Sequence, residues 1–174
     1  MRFTAAQTGF VPRLIEKDYF CTVVLERLSA SAAELVFRGG TCLAKIHAEF
    51  YRLSEDLDFV IPTPLDASRS DRSRLAARSK RAVGTIGRQV PGLRVITALT
   101  GANDSSQYAA VLGYTSVLST REETIKIEIG LREPLLRPAI PGEARTLLLD
   151  PISNTPLVPA LPVPCLSRAE AMAE

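Results

Sequence analysis

Residues 125–129 read Ile-Lys-Ile-Glu-Ile. Strict alternation puts three branched apolar side chains on one face and two charged ones on the other, the pattern of a β-strand half-buried in a sheet. Four further segments, 35–37, 57–61, 93–99 and 108–118, are rich in β-branched and aromatic residues. Glycines, prolines or polar clusters bound them, as expected of strands. The 101–104 and 119–122 segments between the last three strands suit hairpin loops. Helical spacing marks 13–29, with Leu14, Ile15, Tyr19, Val23, Val24 and Leu28 on one stripe. A short helix is expected over 41–48 and a long one over 66–89, opened by Asp66 or Ser68. The expected fold is therefore α/β (α+β): a mixed β-sheet flanked by helices.

Eight of the twelve prolines lie between Pro134 and Pro164. Proline lacks the amide donor of helices and central strands. The sequence thus divides into a core domain over 1–133 and a proline-rich extended segment over 134–174, wrapping the core or leading onward. Ser167 and Glu170 stand where a capping box opens a helix, and the chain ends at Glu174, which suggests that this helix is cut short. The hydrophobic share of 46% and charged share of 23% suit a packed globular chain rather than a disordered one. The net charge of +2 does not by itself indicate a nucleic-acid partner. Three scattered cysteines, Cys21, Cys42 and Cys165, lack both disulfide and metal-ligand spacing, which fits a reducing compartment. With no signal-peptide core and no apolar run near ~18 residues, the expectation is a soluble, cytoplasmic protein without a membrane contact.

Three segments can carry chemistry. Phe37-Arg38-Gly39-Gly40-Thr41 reads as a strand, a glycine turn and a helix start. Glycines allow close approach of a phosphate, and helix amides attract anions; Thr41 could add a hydroxyl and Lys45 a charge. The same pattern also serves as plain turn punctuation. In 52–59, Asp56 and Asp58 share one face of a strand while Leu57 and Phe59 share the other. Two close carboxylates repel and raise each other's pKa, a cost that a divalent cation removes. Mg²⁺ is commonly held by one or two carboxylates plus substrate phosphates. The alternative is a solvated acidic loop, which the apolar 57–61 run disfavours. Glu128 becomes a third acid if its strand lies beside the Asp-Leu-Asp strand, and three such acids suit two-metal phosphoryl transfer. Otherwise Glu128 pairs with Lys126 or Arg132 on an exposed face, where a pair contributes little.

Taken in order, Gly-Gly-Thr-x-Leu-x-Lys (39–45), Arg-x-Ser-Glu-Asp-Leu-Asp (52–58) and Lys-x-Glu (126–128) resemble the AbiEii/AbiGii group of the nucleotidyltransferase superfamily. Glu16-Lys17-Asp18-Tyr19 is similar to the segment with which that family often begins. The resemblance implies a palm-type sheet and a toxin of a toxin–antitoxin or phage-defence pair, with a cognate antitoxin as partner. It also implies NTP as substrate and Mg²⁺ or Mn²⁺ as cofactor. Asp56, Asp58 and Glu128 would be the catalytic metal ligands. Gly39, Gly40 and Thr41 would cradle the triphosphate, with Arg52 and Ser54 positioning the loop or the phosphates. Two departures stand out: the Gly40-to-Asp56 gap is longer than in compact members, and the family's later Lys-bearing helix and Asp segment lie beyond Glu174.

The leading reading is an enzyme moving a nucleotide from an NTP to a hydroxyl of tRNA, other RNA or protein. The alternative is a non-catalytic module of the same fold that acts through a partner protein. A kinase-like phosphotransferase ranks last, for want of a Gly-rich phosphate loop and a catalytic loop. The basic run Arg69, Arg72, Arg74, Arg78, Lys80, Arg81 and Arg88 could follow an RNA backbone or simply be a solvated helix face. His47, the sole histidine, is expected at a helix end. Cys42 is expected to be packed in the core.

Overall fold

The computed structural model describes residues 1–131 and 134–173. The boundary expected at Glu133, the candidate partner Arg132 and the terminal Glu174 fall outside the described residues. In chain order the elements are α1 (Arg2–Thr8), α2 (Pro12–Ser31), β1 (Val36–Arg38), α3 (Gly39–Cys42), a π-helical turn (Leu43–His47) and β2 (Leu57–Val60). There follow α4 (Arg69–Leu75), α5 (Ala77–Gln89), β3 (Leu93–Ala102), β4 (Gln107–Thr115), β5 (Glu122–Gly130), β6 (Ile140–Ala144), β7 (Leu161–Cys165) and α6 (Arg168–Ala173).

The strands form one mixed sheet in the order β3-β4-β5-β2-β1-β7-β6. β2 runs parallel to β5, and β1 parallel to β7; the other neighbours are antiparallel. This is the mixed, helix-flanked α/β sheet that the alternating pattern suggests. One sheet face carries the main core. There Phe37, Leu57 and Phe59 meet Ile125, Ile127 and Ile129 of β5 and Tyr108, Ala110 and Leu112 of β4. Cys21, Val24, Leu25 and Leu28 of α2 and Ala82, Val83 and Ile86 of α5 cover that layer. Each Val, Leu, Ile or Phe side chain among them contributes about 1.5–3 kcal/mol on leaving water, so the register of β2 and β5 is set by which face is apolar.

Three segments differ from the sequence reading. The 66–89 helix is two helices meeting at the fully buried Ala76. α4, opened by the Ser68–Asp71 capping box, buries no side chain, whereas α5 lays Ser79, Ala82, Val83 and Ile86 against the core. The chain bends where the buried stripe begins.

The proline-rich stretch, rather than only wrapping the core, adds β6 and β7 to the sheet, with β7 in an interior position. Leu166 donates its amide to the Phe37 carbonyl at 3.0 Å. By alternation the nitrogens of Pro162 and Pro164 point the same way, towards an edge where three-residue β1 offers a single register partner, Phe37 to Cys165. Pro141 opposes Pro164, so its nitrogen faces the open outer edge. The prolines occupy positions where no ladder donor is needed.

Thirdly, α1 forms at an amino terminus that carries no marked helical signal. No described helix is long and apolar enough to cross a membrane.

Candidate active site

β1 turns sharply at Gly39 into α3, and β2 returns antiparallel with Asp58 opposite Arg38. On its other side Asp58 is the register partner of Glu128. Arg38, Asp58 and Glu128 therefore line up across three strands, on the face away from the main core. A cleft of about 780 Å³ opens over this face. Arg38, Gly39, Gly40, Arg52, Asp58 and Glu128 line it, with Thr100, Gln107 and Tyr108 towards one end and Ala171 and Met172 of α6 above.

Close approach and backbone conformation require glycine at 39, whereas at 40 a side chain would displace the tip of Arg52. Gly39 has φ +72°, and a Cβ there would lie 2.5 Å from Asp58 Oδ2. A Cβ on Gly40 would lie 2.8 Å from Arg52 Nη2 and 3.3 Å from Ser54 Oγ. The Arg52–Ser54 segment is brought over the glycine turn by a bend in which Glu49 and Phe50 both have positive φ, 45° and 59°. Two consecutive non-glycine residues in that region store strain of about 1–3 kcal/mol each. Gly39→Ala combines an unfavourable φ with a clash against a carboxylate. It is expected to lower stability by about 1–3 kcal/mol in denaturant unfolding; a loss below about 0.5 kcal/mol would mean that the turn relaxes away from Asp58.

Asp56 precedes β2 by one residue, and alternation gives it the face of Asp58. Its carbonyl accepts the Thr41 hydroxyl. Lys126 Nζ pairs with Glu128 Oε1 at 2.9 Å, both side chains being about half exposed. The Lys126 ammonium is held above its ordinary pKa, chiefly by the hydrogen bond and charge of Glu128, with Asp56 and Asp58 adding to it. The oxygens of Asp56, Asp58 and Glu128 are not all within 4.8 Å of one another, so the acids do not form a preassembled cage. They nevertheless fit a hard divalent cation, which takes carboxylate oxygens and keeps positions for phosphate and water. Gly39 leaves the room beside Asp58 that any larger residue would fill.

The cleft thus brings together Gly39, Gly40, Arg52, Asp58 and Glu128; Ser54 stands beside Gly40 without lining it, and Asp56, just before β2, does not line it either. The cleft does not include Thr41 or Lys45. Thr41 is buried and spends its hydroxyl on Asp56. Lys45 is buried against Asp18 at 2.5 Å, donates to Thr22 Oγ1 at 2.7 Å, and reaches the Arg145 carbonyl at 3.3 Å. Glu128 makes the ion pair with Lys126 that the sequence allowed, and it also lies in register with Asp58.

Arg38 went unassigned in the sequence reading, although alternation from buried Phe37 already points it to the cleft face. The roles of Glu16, Lys17 and Asp18 were also missed, and all three are buried. Glu16 accepts from Ser116 Oγ at 2.6 Å and from the Val117 amide at 2.7 Å. Lys17 pairs with Glu55 at 2.7 Å, which holds the Glu55 carboxyl below its ordinary value. Asp18 takes Lys45 and the Leu147 amide. These three consecutive side chains tie the β4–β5 loop, the Asp-bearing loop and the 146–147 segment to one helix. The signal available in the sequence was three charged residues inside an apolar helix.

In the basic stretch, Arg72 donates to the Asp104 and Ala67 carbonyls, Arg74 pairs with Asp71, and Arg78 donates to the Ser31 carbonyl. Lys80 lies 4.8 Å above the Tyr108 ring.

The family described as nucleotidyl transferase AbiEii toxin, type IV TA system, matches residues 23–174. A crystal structure of a candidate nucleotidyltransferase from H. pylori superposes with a TM-score of 0.56 at 16% identity, over 94% of this chain and 58% of that one. JHP933 from Helicobacter pylori gives 0.50 at 21% identity, over 75% of this chain and 50% of that one. The chain thus spans little more than half the length of these structures, and the likeness is one of fold. No curated protein matches it.

Proposed function

The chain belongs to the AbiEii family of nucleotidyltransferase toxins of type IV toxin–antitoxin systems, and from that membership and the cleft we propose that it moves a nucleotide from an NTP to a hydroxyl of RNA, such as tRNA, or of protein. The observation that carries this reading is the alignment of Asp58 with Glu128 beside the Gly39–Gly40 turn. Asp56, Asp58 and Glu128 would hold Mg²⁺ or Mn²⁺, which when bound neutralises triphosphate charge and makes the acceptor hydroxyl more acidic. Gly39 and Gly40 let the triphosphate approach the backbone. Arg52 and Ser54 stand over Gly40, and Arg38 beside Asp58, as cation and hydroxyl donors to phosphate oxygens. The acceptor oxygen bonds to the α-phosphorus, the α–β bridging oxygen leaves with pyrophosphate, and the hydroxyl proton passes to solvent. An antitoxin protein is the partner this family implies, and phage defence the setting.

One observation favours a second reading, a binding module that acts through its partner. The Glu128 carboxylate is engaged by Lys126, so metal binding must displace or share that ammonium. Calorimetric titration of Mg²⁺ with each NTP, into the chain and into an Asp56→Asn/Asp58→Asn variant, separates the two. The enzyme reading expects metal-dependent binding that the double variant weakens at least about a hundredfold. Equal affinity in both proteins, or none in either, would leave the module.

A further inference from the structure

Away from the cleft, against the main-core face of the sheet, a second group of side chains converges. Cys42 ends α3, His47 ends the π-helical turn, and Cys165 ends β7. One ligand atom from each lies within 4.8 Å of the other two, and among the described residues this is the only set of three or more histidine, cysteine or acidic side chains so placed. We propose that Cys42, His47 and Cys165 form a binding site for a borderline-soft divalent cation, zinc, with a fourth position left for water.

Three features argue for it. The first is the local backbone. Cys42 and His47 are five residues apart, which in an α-helix leaves side chains roughly 140° apart around the axis. The i→i+5 turn over Leu43–His47 brings such positions onto one side, and π-turns of this kind concentrate at functional sites.

The second is the imidazole. His47 Nε2 lies 3.0 Å from the Leu166 carbonyl oxygen. A carbonyl only accepts, so Nε2 carries the proton and the coordinating lone pair belongs to Nδ1. A histidine ligand held by a backbone carbonyl through its other nitrogen is the usual outer shell of a zinc site.

The third is size and charge. A tetrahedral ion with bonds of about 2.3 Å to sulfur and 2.0–2.1 Å to nitrogen holds its donors roughly 3.5–3.8 Å apart. Adjustments of about 1 Å therefore close this set. Two thiolates and a neutral imidazole around Zn²⁺ sum to zero, which makes burial of both cysteines tolerable where a lone charge would be costly. Gly142 keeps the volume open, since a Cβ there would lie 2.6 Å from Cys165 Sγ.

Cys21 lies among the apolar side chains of the main core and outside this group. Bound by Cys42, His47 and Cys165, the ion would fasten the helix that begins at Gly39 to β7.

Cobalt titrated into the reduced, chelator-treated chain tests the site. The expected result is one ion per chain, a thiolate-to-cobalt charge-transfer band with the visible bands of tetrahedral cobalt, displacement by zinc, and release of two protons per ion. Cys21→Ala should leave the spectrum unchanged, while Cys165→Ser and His47→Gln should each weaken binding by at least about a hundredfold. The spectrum and proton count are read on the unaltered chain, so they stand even if a variant fails to fold. Absence of tetrahedral bands at one equivalent, bands undiminished in both ligand variants, or a Cys42–Cys165 disulfide in place of metal in the chain as isolated would each overturn the assignment.

Discussion

Lys45→Ala is expected to lower the unfolding free energy by about 3–5 kcal/mol, the scale for removing one partner of a buried ion pair. The Lys45 and Asp18 side chains are 1% and 4% exposed, so loss of the ammonium strands a carboxylate that water cannot reach. Thr146 Oγ1 and the Leu147 amide still donate to it, at 3.1 and 2.8 Å, but neither supplies a charge. The double replacement Asp18→Asn/Lys45→Met should cost less than Lys45→Ala alone, because it removes both charges and keeps an acceptor for Leu147. Urea unfolding of the three proteins measures the order. A Lys45→Ala loss under about 1 kcal/mol would refute the burial argument. The result also separates two roles for this lysine, since a phosphate-binding side chain would change NTP affinity and leave stability nearly untouched.

Asp58→Asn is expected to do the opposite: to reduce nucleotide transfer about 10²–10³-fold, the scale of removing a group aimed at charge developing in a transition state, with a melting temperature within a few degrees of the parent. The amide has the shape of the carboxylate and sits at a half-buried position in the cleft, so packing hardly changes. Transfer of label from each NTP to RNA or protein reads the first quantity, and thermal unfolding the second. Glu128→Gln should behave alike, since its pair with Lys126 is about half exposed and exposed pairs contribute little to stability. Unchanged transfer in Asp58→Asn would remove Asp58 from the chemistry, whatever its contacts.

Period-two runs made most of the sheet legible in advance. Ile125, Ile127 and Ile129 on one face of β5, and Leu57 and Phe59 against Asp58 on β2, followed from alternation alone. The same logic put the Asp58 and Glu128 side chains on one surface, conditional on their strands being neighbours. What stayed hidden were partnerships across long sequence distances. Lys45 beside the Gly-Gly turn looks like a phosphate ligand until Asp18, 27 residues earlier, is known to stand against it. Thr41 likewise turns to the Asp56 carbonyl, 15 residues later. The prolines of β6 and β7 misled for another reason: composition tells that donors are missing, but not which edge of a strand they are missing from.

The anchoring of α2 also has a consequence in time. Glu16 waits 100 residues for Ser116, and Asp18 waits 129 for the Leu147 amide. At ~5–20 residues per second of synthesis, Asp18 exists for on the order of ten seconds before its last partner is made. Until then a carboxylate destined for the interior has no complete set of donors, and burying it is unfavourable. Closing α2 onto the loop that bears Glu55 and Asp56 is therefore fully favourable only once the stretch around residue 147 has been made. The cleft beside Gly39 and Asp58 is then completed only after the stretch around residue 147 has been made.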